Sequence, residues 1–134
     1  MNFSLSKNER IKLNKDFQKV YTKGKILYSS QKKLKVNYYL ESSVNDICIK
    51  AAFVVSKRAG NAVWRNRVKR LFREAYRTNK LSLYELCQSK NKSLLLSFSP
   101  NLLNQKHNKK IKLEFILNDF IDVLEKVKQR VQDA

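Results

Sequence analysis

Ala51-Ala52-Phe53-Val54-Val55-Ser56-Lys57-Arg58-Ala59-Gly60-Asn61-Ala62-Val63-Trp64-Arg65-Asn66-Arg67-Val68-Lys69-Arg70-Leu71-Phe72-Arg73-Glu74-Ala75-Tyr76-Arg77 contains the change of period on which the fold turns. Upstream, apolar residues fall two apart at Ile47, Ile49, Ala51, Phe53 and Val55, which predicts a strand over Ile47–Ser56. Gly60-Asn61 interrupts that pattern, and Asn61 is a suitable N-cap. Beyond it the spacing becomes helical. At about 100° per residue, Trp64, Val68, Leu71, Phe72 and Ala75 converge on one side of a helix over Asn61–Thr78. Asn66, Lys69, Arg70, Arg73 and Arg77 converge on the opposite side, with Arg65 and Arg67 at the flanks.

That helix is unusually basic. From Lys57 to Arg77 there are eight cations and one Glu, a net +7 in 21 residues. Guanidinium groups bind phosphate oxygens bidentately and stack on bases, whereas ammonium groups act as point charges. Asn66 adds a donor and an acceptor suited to a ribose hydroxyl or a base edge. A charged outer face is normal for an ordinary amphipathic helix. Here the acidic partners that would relieve the repulsion are nearly absent, which favours an anion. A membrane surface or a protein that receives basic helices is the competing reading, but the apolar side is needed for the core.

The rest of the chain agrees in sign. It has 134 residues, a formal charge of +18, and Lys and Arg numbering 29 against 11 Asp and Glu. The pI is near 10.1. Such a field opposes compaction and calls for a polyanionic partner, with nucleic acid ahead of anionic membrane or acidic protein. The 43% hydrophobic content suits one ordinary core, so residues 1–134 read as a single domain. No span long enough to cross a membrane and no signal-like opening is evident, which makes the cytoplasm the expected address.

Working outward, Asn14 is expected to cap a short helix carrying Phe17, Val20 and Tyr21 on one face, ended near Gly24. Lys32–Leu40 alternates as a strand, with Leu34, Val36 and Tyr38 opposite Lys33, Lys35, Asn37 and Tyr39. Glu41–Asp46 is expected to turn, and Leu81–Lys92 is ambiguous. Ser93–Phe98 is a strand stopped by Pro100, and Leu102–Lys110 is an exposed loop. Ile111–Gln132 is a last helix with a stripe of Phe115, Ile116, Phe120, Ile121, Leu124, Val127 and Val131. The order α-β-β-α-β-α predicts an α+β fold with helices packed on a small sheet.

Catalytic constellations are missing from the sequence. His107 is the sole histidine and sits in a Lys-rich loop, acidic residues are scattered, and no phosphate-binding Gly loop occurs. Cys48 and Cys87 form no CxxC pair and no zinc pattern; two buried or reduced thiols are the favoured reading, with a single bridge between them as the alternative. Neither catalytic nor metal-binding residues are assigned. Phe17, Tyr21, Tyr38 and Tyr39 are candidates for base stacking, weighed against the commoner role of such aromatics in a core.

Val55 to Arg77, quoted above, closely resembles the signature of the bacterial ribonuclease P protein subunit. That signature has V-S-K-K/R, a Gly turn, then A-V-x-R-N-R-x-K-R-x-x-R-E. Leu13-Asn14-Lys15-Asp16-Phe17-Gln18-Lys19-Val20-Tyr21-Thr22-Lys23-Gly24 resembles the family's opening helix. The resemblance implies an accessory subunit of an RNA-based endonuclease. In that family the catalytic RNA, with magnesium, removes the 5′ leader of precursor tRNA. The residues implied against RNA are Lys57, Arg58, Arg65, Asn66, Arg67, Lys69, Arg70 and Arg73; Arg77, on the same predicted outer face, is counted with them as an RNA-binding candidate. Those implied in a cleft for the single-stranded leader are Phe17, Tyr21 and Tyr38, with Tyr39 the alternative to Tyr38. The resemblance also implies a left-handed β-α-β crossover, against the general right-handed rule. Ala52 departs from a frequent Gly and is expected to narrow the cleft. A ribosomal RNA-binding protein and an independent nuclease are the other readings.

Overall fold

The computed structural model describes residues 7–43 and 46–134. After a 3-10 turn at Lys7–Glu9 come α1 (Asn14–Thr22), β1 (Lys25–Tyr28), β2 (Leu34–Ser42) and β3 (Ile49–Phe53). A second 3-10 turn, Lys57–Ala59, leads into α2 (Ala62–Asn79), followed by α3 (Leu81–Lys90), β4 (Lys92–Pro100) and α4 (Leu113–Asp133). The architecture is α+β, as expected. Strands lie in the order β1-β2-β4-β3. β1 with β2 and β2 with β4 are antiparallel, while β3 and β4 are parallel. The strand–helix–strand unit read from the sequence is therefore a true crossover, lengthened by α3.

Strand parity divides the molecule. Leu34, Val36 and Tyr38 of β2, Ile49 and Ala51 of β3, and Leu94, Leu96 and Phe98 of β4 enter the main core. There they meet Trp64, Val68, Phe72, Ala75 and Tyr76 of α2 and Ile116, Phe120, Val123, Leu124, Val127 and Val131 of α4. Phe98 stacks on Phe120 with ring centroids 4.6 Å apart, inside the usual range for attractive aromatic pairs. The alternate residues face the other way. A smaller cluster of Ile11, Val20 and Ala52, flanked by Phe17, Tyr39 and Leu95, seats α1 on that second face.

Several elements differ from the sequence reading, each for a local reason. Asn14 is the first residue of α1, not its cap; the Leu13 carbonyl starts the helix by accepting from Asp16 N and Phe17 N. The strand expected from Lys32 begins at Leu34, because Lys32 takes a left-handed φ of 59° in the β1–β2 turn. It continues to Ser42, which pairs with Lys92, so the predicted Glu41–Asp46 turn starts late. Val44 and Asn45 of that turn, and Met1–Ser6, lie outside the described residues. β1 escaped notice as a short edge strand with three of its four side chains exposed. Leu81–Lys90 is a complete helix that buries only Leu83 and Cys87, one turn apart. Burial raises the Cys87 thiol pKa to about 11, keeping it protonated. Cys48 is exposed, and the two thiols are not bridged.

The stretch Leu102–Lys110 is the largest difference. It was expected as an exposed loop, yet Leu103 is buried in the main core, and Ile111, expected to open the last helix, is buried there ahead of it. The last helix begins at Leu113, and Phe115 is exposed, with Lys33 Nζ 4.1 Å above its ring. Val123 takes a core position that the predicted stripe had given to Ile121, which is only half-buried.

Candidate nucleic-acid interface

α2 starts where expected. Asn61 Oδ1 accepts from Trp64 N at 2.9 Å, an N-cap that satisfies one donor left free by the first turn. Its inner side is buried along Trp64, Val68, Phe72, Ala75 and Tyr76, with Leu71 half-buried. Tyr76 was absent from the predicted stripe. Phe53, Tyr84 and Phe98 surround its ring, and its hydroxyl donates to Tyr84 OH, so its polar end is satisfied inside. Burial raises the Tyr76 phenol pKa well above its ordinary range.

On the outer side Asn66, Arg70 and Arg73 are exposed, and Lys69 is half-buried beside them. Their spacing of four and three residues aligns them as neighbours along one helix face. The flanking cations are partly committed. Arg67 Nε donates to the Ile111 carbonyl at 2.7 Å while the residue stays exposed. Arg65 is half-buried, its Nε withdrawn from solvent. Arg77 differs most from expectation: its guanidinium pairs with Glu74 at 2.5 Å. That hydrogen bond lowers the Glu74 carboxyl pKa, so the pair largely cancels its own charge. Lys57 and Arg58 are exposed on the 3-10 turn before the helix.

Arg58 also borders a cleft of about 440 Å³ on the α1 side of the sheet. Lys35, Asn37, Val54 and Ser99 form its floor, Tyr21 one wall, and Ser56, Arg58 and Ala59 with Asn101, Leu103 and Asn104 the other. Tyr21 OH shares a 2.6 Å hydrogen bond with Ser97 Oγ, whose side chain is fully buried. Phe17 lies outside the cleft lining, packed on the Ile11, Val20 and Ala52 cluster, and stacks parallel to Tyr21 with centroids 6.5 Å apart and planes 7° from parallel. The cleft thus offers an aromatic edge, amide and hydroxyl groups, and two cations, a combination suited to a single-stranded polynucleotide.

Tyr38 is a correction. It pairs with Leu96 and points into the main core at 6% exposure, on the face opposite Phe17 and Tyr21. Tyr39, the alternative, packs with Phe17 on the α1 side, because neighbouring strand residues point to opposite faces. The sequence reading did not single out Lys35, Ser97, Ser99, Asn101 or Asn104. Lys35 was legible as part of the polar face of β2; the others needed the pairing of β2 with β4.

His107 is exposed, and its backbone N–H donates to Asn104 Oδ1. Among the described residues no three His, Cys, Asp or Glu side chains gather as a metal site. Among the same residues no helix is long and apolar enough to cross a membrane.

The family model described as Ribonuclease P matches residues 5–127. The Ribonuclease P protein component of Clostridium novyi (strain NT) is 43% identical over 75 residues, 56% of this chain and 64% of that protein. The aligned stretch therefore spans less than two thirds of that relative. Among solved structures, the Staphylococcus aureus RNase P protein aligns over 91% of this chain and 97% of its own, with 27% identity and a TM-score of 0.62. The RNase P protein of Thermotoga maritima shares the fold, with a TM-score of 0.65 at 22% identity over 88% of this chain and 96% of its own. Since the sequence match runs through α1, the whole sheet and the basic helix, the chain belongs to the Ribonuclease P family.

Proposed function

We propose that this chain is the protein subunit of ribonuclease P. It binds the catalytic RNA through the outer face of α2 and the single-stranded 5′ leader of precursor tRNA through the cleft. The observation that carries this reading is the stripe of Asn66, Lys69, Arg70 and Arg73, outward-facing on a helix whose other side is locked in the core. The helix cannot turn, so the backbone positions of its cations are fixed, and binding has only the side chains themselves left to order. Leader recognition then falls to Phe17, Tyr21 and the polar floor of the cleft, with Arg58 and Lys35 neutralising phosphates. Tyr39, rather than Tyr38, is the aromatic of β2 on that side. The chemistry belongs to the RNA, whose phosphate oxygens are the fitting ligands for the magnesium expected in the holoenzyme. This chain holds and positions.

Reconstitution tests the reading. Protein alone with magnesium should leave precursor tRNA intact, and protein with the catalytic RNA should release the leader. Arg70→Ala should weaken binding to that RNA and reduce its salt slope by about 1, the value for one lost phosphate contact. Phe17→Ala should weaken only leader-bearing precursors, by roughly 1–3 kcal/mol if one stacked base is lost. Cleavage by the protein alone, or unaltered RNA affinity in Arg70→Ala, contradicts the proposal. So does co-sedimentation with ribosomes in place of a processing RNA.

A further inference from the structure

The leader cleft does not end at Arg58. Arg58, Ala59 and Asn104 also border a second hollow of about 520 Å³, which continues past Gly60 to Lys106, His107 and Lys109. Gln105 and Lys109 are in turn shared with a third, of about 410 Å³, which reaches Arg67, Lys110 and Lys112 beside the start of α2. Three adjoining depressions therefore form one trough, from Tyr21 to the first turn of the basic helix. Its outer rim is the segment 106–112, with Lys106, His107, Lys109, Lys110 and Lys112 all exposed and no acidic residue.

Two physical features make this rim unlike an ordinary solvated lysine loop. The first is its rigidity. Gln105 N donates to the Ala59 carbonyl at 2.7 Å, and Asn61 N donates to Gln105 Oε1 at 2.8 Å. Trp64 Nε1 donates to the Asn108 carbonyl at 2.9 Å, and Arg67 Nε to the Ile111 carbonyl. Leu103 and Ile111 anchor both ends in the core. The second is an electrostatic cost. A helix N-terminus carries partial positive charge and favours acidic neighbours, yet the first turn of α2 has none. Lysines carried by a segment tied to that end raise the free energy of the isolated protein, and a phosphodiester chain in the trough would remove the penalty.

We propose that the segment 106–112 extends the single-strand binding track, gripping the phosphates of leader nucleotides that run past the aromatic cleft toward α2. This rests on the functional reading above, and deepens it by giving the protein a preference for long leaders. The shared walls favour a continuing strand over a separate RNA duplex, because the trough opens directly from the cleft.

The test uses holoenzyme and precursors with leaders of roughly 4 and roughly 16 nucleotides, the limits of common single-strand site sizes. Wild type should bind the long-leader precursor more tightly. The variant K106Q/K109Q/K110Q/K112Q should lose roughly tenfold on the long leader only, and its salt slope there should fall by about 2 to 3, at about 0.7 per single-strand phosphate. Arginine at the same four positions should preserve wild-type behaviour. Absence of any length effect in wild type, or equal loss on both leaders, overturns the inference while leaving the broader reading intact. Failure of that reading shows differently, in Arg70→Ala and Phe17→Ala.

Discussion

Gly24 shows how much one hydrogen atom decides. Its φ is not positive, so it is not needed for a left-handed turn. It is needed for proximity: a Cβ would collide with the carbonyl oxygens of Val20 and Tyr38, the latter at 2.5 Å. Both obstacles are backbone, at the end of α1 and within β2, so neither can rotate away. Gly24→Ala should cost about 1–3 kcal/mol by overpacking. Urea denaturation should show the lower midpoint with an unchanged slope. It should also shift α1, and hence Phe17 and Tyr21, relative to the sheet. Tyr38 and Tyr39 teach a second lesson at this scale. The alternation of β2 was legible, and it correctly put the two rings on opposite faces. Which face was the cleft could not be read from β2, since both rings are aromatic with a polar end, and only the seating of α1 distinguishes them.

Among elements, the β1–β2 turn depends on α4. Ser30 donates to Asp122 Oδ2 twice, from its backbone N at 2.7 Å and its hydroxyl at 2.8 Å. Lys126 reaches the Tyr28 carbonyl at 2.8 Å and Asp122 at 3.5 Å. Partial burial pushes the Asp122 carboxyl pKa up, but the Ser30 bonds and Lys126 outweigh it, so the pKa is lowered. A carboxyl held more acidic in the folded state stabilises it above the unfolded pKa, and loses that contribution as pH falls through the folded value. Asp122→Asn should therefore cost about 1 kcal/mol at pH 7, allowing for the pair's exposure. The difference from wild type should close below roughly pH 4. A gap that is constant from pH 7 to pH 3 would show that the carboxylate charge is irrelevant. The elements with strong periodicity, β3, α2 and α4, were readable within a few residues. α3 was not, because its apolar residues Leu81, Leu83, Tyr84, Leu86 and Cys87 spread around the helix and only two are buried.

For the molecule as a whole, +18 is a destabilising quantity, one that the RNA proposed as its partner would relieve. Raising sodium chloride from 10 mM to 1 M contracts the Debye length from about 30 Å to about 3 Å. The melting temperature of the free protein should rise over that range, while affinity for the catalytic RNA falls. Two opposite trends on one axis are the expected signature, and a flat melting temperature would mean that the cations are already neutralised within the fold.

The sequence alone determined the α+β class, the long helix with its two chemically opposed faces, and the strong positive charge of the chain. These follow from side-chain period and composition, which are local properties of the chain. Tertiary structure decided the rest. It chose Tyr39 over Tyr38 for the α1 face, joined β4 between β2 and β3, and folded residues 101–112 against the start of α2. A cleft is bounded by residues distant in sequence, and the pairing that brings Tyr21 to Ser97 leaves no periodic trace in either segment.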